Sequence, residues 1–265
     1  MMGFIAIFGI IVCFGAVVVG IVSLGGDIGY FINIPSVLLV VVPTFGALAT
    51  TVPIGLIAKI PAHFGVIFRK EHKPEAIIER IVELANKVRA GGILALEEEV
   101  IDEPTMQYGV RMLVDSINED EIKNALDESL ESLTTRHNEA AVVYDKGANY
   151  APAFGMCATV VSLVNMLMNL NFDDPTAVQG LGTNMSAALI TTLYGSMLAN
   201  IIFIPIASRL KILHKREMFN KGLICTGIMA IQHGNNSTFI YELLCEQLNK
   251  EKRKNVQNNK GKGGD

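Results

Sequence analysis

Basic residues are missing from two long stretches of this 265-residue chain. None of its 22 Lys and Arg residues lies in 1–58 or 148–208; eleven fall in 59–147 and eleven in 209–265. A helix on the surface of a soluble globule keeps a charged face toward water, so an apolar stretch that avoids charge on every face needs apolar surroundings. About 20 residues at ~1.5 Å rise cross the ~30 Å hydrocarbon core of a bilayer, and both stretches are long enough to do so twice. Composition agrees: half the residues are hydrophobic and 18% are charged, against about 25% charged in soluble domains. The expected fold class is an all-α membrane protein with four transmembrane helices.

The first span runs from Gly3 to Leu24 and ends at Gly25-Gly26-Asp27, a turn carrying the first charge of the chain. It lacks a basic start and a cleavage site, so it reads as a retained helix and not a signal peptide. Pro35 opens the second span, which is expected to continue to Ala58 with Pro43 and Pro53 inside it; Lys59 marks its exit. The third covers Ala148–Leu170 and the fourth Leu181–Ala207, joined by a loop, Asn171–Gly180, that holds Asp173 and Asp174. The loops 25–34 and 171–180 contain no basic residue, while Lys59, Arg69, Lys70, Lys146, Arg209 and Lys211 flank the opposite ends. By the positive-inside rule the loops are outside, and both polar blocks and both termini are cytoplasmic. The predicted organisation is therefore spans 1 and 2 in 1–58, a cytoplasmic helical domain in 59–147 between the second and third spans, spans 3 and 4 in 148–208, cytoplasmic C-terminal helices in 209–248, and a disordered Lys-, Asn- and Gly-rich tail in 249–265.

The cytoplasmic insert is helical by pattern. Lys73-Pro74-Glu75 is a helix start, and Ile77, Ile78, Ile81, Val82, Leu84 and Ala85 recur at three- and four-residue spacing until Gly91-Gly92. Short segments follow in Ile93–Ile101 and Pro104–Ile117. From the acidic start Glu119-Asp120-Glu121 no proline occurs until Pro152, so one helix is expected to run into the third span. After the fourth span, Ile206–Gln232 reads as one helix, His233-Gly234-Asn235-Asn236 as a break, and Thr238–Leu248 as a last amphipathic piece.

Several function classes drop out. A net charge of -4 gives no basic surface for phosphates, so no nucleic-acid partner is expected. The four cysteines form no CxxC and the five histidines are dispersed, so no metal site and no cofactor is indicated. No nucleophile, base and orienting group cluster at recognisable spacing, so the chain has no catalytic residues and does not read as an enzyme. Channels usually show their pathway as an ionisable residue inside the bilayer. Here Asp27, Asp173 and Asp174 all fall in outer loops, so either no ion passes or its carboxylate belongs to another chain. What the third and fourth spans carry are stripes of small and hydroxyl residues: Ala151, Gly155, Thr159 and Ser162, and Ala187, Thr191, Gly195 and Ala199. They serve either plain helix packing or the presentation of hydroxyl oxygens to a neighbour or an ion. Pro152 and Pro205, near the cytoplasmic ends of these spans, read either as inert bends or as hinges.

These residues carry a resemblance. Tyr150-Ala151-Pro152-Ala153-Phe154-Gly155-Met156 with Thr159 and Leu163, and Ala188-Leu189-Ile190-Thr191-Thr192-Leu193-Tyr194-Gly195, resemble the flagellar motor stator subunits MotA/PomA of the wider MotA/TolQ/ExbB proton channel family. Gly25-Gly26-Asp27 with Ile34-Pro35-Ser36, the run from Arg89 to Glu97, and Gly222 to Gly234 extend the likeness to about Leu248. The resemblance implies an ion-conducting stator subunit in the bacterial cytoplasmic (inner) membrane. In this family five such chains, a homopentamer, surround the single spans of two peptidoglycan-anchored B subunits (MotB/PomB-like), which supply the membrane aspartate. It maps the ion pathway onto Pro152, Thr159, Thr191 and Thr192, torque coupling onto Pro205, and contact with the rotor switch-ring protein onto Arg89 and Glu97. The transported ion is H+ or Na+; the hydroxyls of Thr159 and Thr192 accompany sodium-driven members but also permit proton coupling. The sequence departs from the usual pattern at Ala158-Thr159 and Ser162-Leu163, where the family commonly has Gly-Thr and Gly-Leu. The alternatives are a TolQ/ExbB-like energiser of a cell-envelope complex, which four spans with both ends inside disfavour, and a non-conducting membrane scaffold.

Overall fold

Runs without proline or paired glycine become long helices in this chain, and the breaks fall where the backbone loses a donor or needs a positive φ. The computed structural model describes residues 2–67, 73–168 and 177–248, and all the regular structure among them is helical. The helices are α1 (Met2–Ser23), α2 (Ile34–Thr51), α3 (Ile54–Ile57), α4 (Ile60–Ile67), α5 (Pro74–Gly91), α6 (Pro104–Val114), α7 (Glu119–Met168), α8 (Ala177–Met197), α9 (Ile204–Gln232) and α10 (Ser237–Glu246). Short 3-10 turns cover Ile28–Phe31 and Ile93–Leu96, and a π-helical segment, Leu198–Phe203, joins α8 to α9. Asp173, Asp174, Arg69, Lys70 and the tail 249–265 lie outside the described residues.

The chain divides into two units, one of residues 1–69 and 137–213, the other of 70–136 and 214–265, and α7 and α9 each contribute sequence to both. The first holds α1 to α4, the C-terminal part of α7, α8 and the start of α9. Its core is small: Leu48, Val52, Val143, Tyr144, Ala151, Ala199, Phe203, Ile206 and Ala207. Most of its large apolar side chains face outward instead, among them Ile11, Val19, Val42, Val160, Val164 and Leu189. A water-soluble surface does not carry apolar area on that scale. The stretches Ile28–Thr51, Glu119–Met168 and Asn184–Gln232 are long and apolar enough to cross a membrane, and Phe8–Ser23 is a shorter apolar helix.

The second apolar helix is shorter than the sequence predicts. It does not continue through Pro53 to Ala58; α2 stops at Thr51, and Val52 is extended at φ -134°, ψ 140°. The proline ring clashes with a helical conformation at the residue before it and its nitrogen has no proton to donate, so the chain turns and restarts as α3. Pro43, by contrast, sits within continuous helix. The helix also changes just before Pro205, whose missing N–H leaves the carbonyl of Ile201 no donor four residues on. There Ile204 N–H donates five residues back, to Ala199 O, in a π turn.

The second unit is built like a soluble bundle. Ile77, Ile78, Ile81 and Leu84 of α5, Val110 and Leu113 of α6, Ile122 and Leu126 of α7, Leu223, Ile224 and Ile228 of α9, and Ile240 and Leu244 of α10 form one core. Gly227 lets α9 lie against α5, since a methyl there would sit 2.6 Å from Ile81 Cγ2. Glu103 caps α6 by accepting from Met106 N at 2.6 Å, and Lys221 of α9 holds the same carboxylate at 3.3 Å. Gly92 at φ +78° and Gly234 at φ +69° end α5 and α9 where the sequence placed the breaks.

Candidate functional site

The hydroxyl stripes meet. Gly155 of α7 and Gly195 of α8 allow the two backbones to touch: a Cβ on Gly195 would lie 2.6 Å from Ala151 O and 3.0 Å from Gly155 Cα. One helical turn away this brings Thr159 against Thr191 and Thr192. Thr159 Oγ1 is 2.6 Å from Thr192 Oγ1, 3.0 Å from Thr191 Oγ1, 2.9 Å from Gly155 O and 3.0 Å from Ala188 O. Thr191 Oγ1 is also 2.6 Å from Ala188 O. These five oxygen contacts share only three hydroxyl protons, so at least two of them have no proton between the oxygens at any instant. The cluster therefore has surplus lone pairs, an arrangement that attracts a cation or a proton donor. Thr191 is fully buried, Thr159 half-buried, and Thr192 opens to the surface.

No charged side chain occurs in 148–168 or 177–208. The site offers neutral oxygens alone, so any titrating group must be brought to its exposed edge. Among the described residues no three His, Cys, Asp or Glu side chains are grouped to hold a metal ion.

The other predicted residues stand apart from the hydroxyls. Pro152 lies within α7, about two turns before Thr159, and α7 stays helical through it. Pro205 is the second residue of α9, just after the π segment. Arg89 and Glu97 belong to the other unit, both exposed. Arg89, in the last turn of α5, donates to Asn236 Oδ1 at 3.3 Å, while Glu97 directly follows the 3-10 turn Ile93–Leu96.

Three features escaped reading by residue type. The carbonyls of Gly155 and Ala188 complete the oxygen cluster, and main-chain atoms leave no trace in composition. Tyr194 pins the loop before α2 to α8: its hydroxyl donates to Phe31 O and accepts from Asn33 N at 3.2 Å. An ion network in the second unit joins Arg80, Glu83, Lys87 and Glu99 at 2.6–3.1 Å. Of it, only Arg80/Glu83 and Glu83/Lys87 follow from helix spacing. The Lys87 ammonium, then Arg80, holds the Glu99 carboxyl below its usual range, and Arg80 followed by Lys87 does the same to Glu83.

Known proteins share this architecture. Residues 97–222 match the sequence profile described as the MotA/TolQ/ExbB proton channel family. The chain is 39% identical to chemotaxis protein PomA of Vibrio alginolyticus over 246 residues, 92% of this chain and 95% of that one. The flagellar MotAB stator complex from Bacillus subtilis superposes with a TM-score of 0.85 at 28% identity, covering 93% of this chain and 97% of that chain. The MotAB structure from C. jejuni has the same fold, with a TM-score of 0.84 at 23% identity over 92% and 95% of the two chains.

Proposed function

Because this chain belongs to the MotA/TolQ/ExbB proton channel family, we propose that it is the ion-conducting subunit of a flagellar motor stator, turning transmembrane H+ or Na+ flow into torque. The oxygen cluster of Thr159, Thr191 and Thr192 carries the reading. It is rich in acceptors and sits at the meeting of two apolar helices. It also lacks the carboxylate that would bind and release an ion, which fits an aspartate delivered by a single-span, peptidoglycan-anchored B subunit. Four spans with both termini cytoplasmic, in the bacterial inner membrane, put the cluster within the bilayer and the residues 59–147 on the cytoplasmic side. A pentamer of these chains would ring the partner spans. Pro152 and Pro205 would pass the change in carboxylate charge to the cytoplasmic helices, where Arg89 and Glu97 meet the rotor switch ring.

Co-expression with the B subunit, followed by ion flux in vesicles, tests this: flux should need both chains. Thr159→Ala or Thr192→Ala should abolish Na+-dependent flux if the ion is sodium, which needs several oxygen ligands as it sheds water, and should be tolerated if the ion is H+. Flux from either chain alone, or none from both, overturns the proposal.

A further inference from the structure

Residues 97–99 are three consecutive glutamates, identical in chemistry, yet the fold treats one of them differently. Glu97 and Glu98 are exposed, whereas the Glu99 side chain is only 18% exposed and turned onto α5. There Glu99 Oε1 accepts from Lys87 Nζ at 2.6 Å and Oε2 from Arg80 Nη2 at 2.9 Å. Arg80 Nη2 also donates to Val100 O at 2.9 Å, so the guanidinium grips side chain and backbone of the same strip. Glu83 braces the two cations from below, at 2.6 Å from Arg80 and 3.1 Å from Lys87.

The strip needs such a grip. Beyond Gly92 the backbone bonds of residues 93–99 are short-range turns, Ala95 N to Gly92 O, Glu97 N to Leu94 O and Glu99 N to Leu96 O, each 3.1–3.2 Å. Leu96 is buried in the core, Ile93 packs partly buried against it and Ile101 is buried just beyond, while Leu94 and Val100 are exposed. Between the apolar anchors Leu96 and Ile101, residues 97–100 bury no apolar side chain and have no ladder of α-helical hydrogen bonds, so local opening there is cheap unless another contact resists it. The two charge-assisted bonds at Glu99 are that contact, placed two residues from Glu97.

We propose that Glu99, clamped by Arg80 and Lys87, is a positioning residue that holds the 93–100 strip on α5 so that Glu97 is presented in fixed register to the rotor. This rests on the rotor-contact reading of Glu97 and adds to it a division of labour among the three carboxylates: one touches the partner, one fastens the strip.

The experiment uses the complex purified with its B subunit, and motility in the parent cell. Glu99→Gln keeps the shape and removes the charge. Amide exchange across 93–101 should then speed up about tenfold, the size expected for losing a charge-assisted hydrogen bond at a partly exposed site, with exchange in α6 and ion flux unchanged. Stall torque should fall, by less than in Glu97→Gln. Because Glu99 acts through Glu97, the double variant Glu97→Gln/Glu99→Gln should have the torque of Glu97→Gln alone, a non-additivity that a general loss of stability would not produce. Unchanged exchange at 93–101, wild-type torque in Glu99→Gln, or torque losses that multiply in the double variant would each overturn the positioning role. Wild-type torque in Glu97→Gln would instead overturn the rotor reading beneath it, so the two failures are separable.

Discussion

Replacing Gly195 by Ala tests whether close helix approach is what builds the oxygen cluster. The added methyl would lie 2.6 Å from Ala151 O, whereas ordinary van der Waals contact begins near 3.4 Å. The obstacle is backbone on the facing helix, so no rotamer change relieves it and α7 and α8 must part by about 0.8 Å. Thr159 and Thr192 are one turn from that point, and their 2.6 Å separation would stretch to the edge of hydrogen-bonding range. Overpacking of this kind costs ~1–3 kcal/mol, and if the cluster must reform for each ion to pass, flux falls roughly tenfold for every 1.4 kcal/mol. Gly182→Ala is the control on the same helix: nothing lies within 4 Å of the new methyl. Gly182→Ala should therefore leave flux intact and gain up to ~1 kcal/mol in helix propensity. Ion flux in vesicles holding both subunits should fall only in Gly195→Ala, and the melting temperature of the purified complex should move in opposite directions in the two variants. Wild-type flux and stability in Gly195→Ala, or equal damage from Gly182→Ala, would refute the claim that this contact sets the site.

Two further outcomes are expected. Pro152→Leu restores a backbone donor inside α7 and should abolish swimming and disturb ion flux while the purified oligomer keeps its size; loss of assembly would return Pro152 to a structural bend. His63 of α4, whose Nδ1 faces the Tyr144 hydroxyl at 3.2 Å, is held below its ordinary pKa of 6.5 by burial and by Lys59. The unfolded chain thus takes up a proton before the folded one. Stability from neutral His63 is present above pH 6.5 and is lost as pH falls below it toward the depressed folded value. His63→Gln should flatten the fall in melting temperature between about pH 7 and pH 5.5, and parallel profiles for the two proteins would count against it.

The sequence alone determined the distribution of apolar and charged segments. Blocks without Lys or Arg leave a helix no polar face, so the apolar character of α1, α2, the end of α7 and α8 follows from residue order. The length of α7 was also legible, since nothing between Glu119 and Pro152 interrupts it, as were the breaks at Gly92 and Gly234, where positive φ favours glycine. The sequence showed Thr159, Thr191 and Thr192 as hydroxyls in helical register. It did not show that they meet, because four-residue spacing defines a face and leaves open which face a neighbouring helix covers. That was decided by the contact of Gly155 with Gly195, between residues forty apart in the chain. Pro43, Pro53, Pro152 and Pro205 are the same residue with different outcomes: α2 and α7 absorb Pro43 and Pro152, Pro53 ends a helix and Pro205 follows a π turn. The residue type alone does not decide whether its missing donor is absorbed or ends the helix. Glu97, Glu98 and Glu99 make the same point at the surface, since only the cations of α5 opposite Glu99 distinguish it from its neighbours. Local order decides what each segment can become, and contacts between distant segments decide which of its equivalent side chains acquires a role.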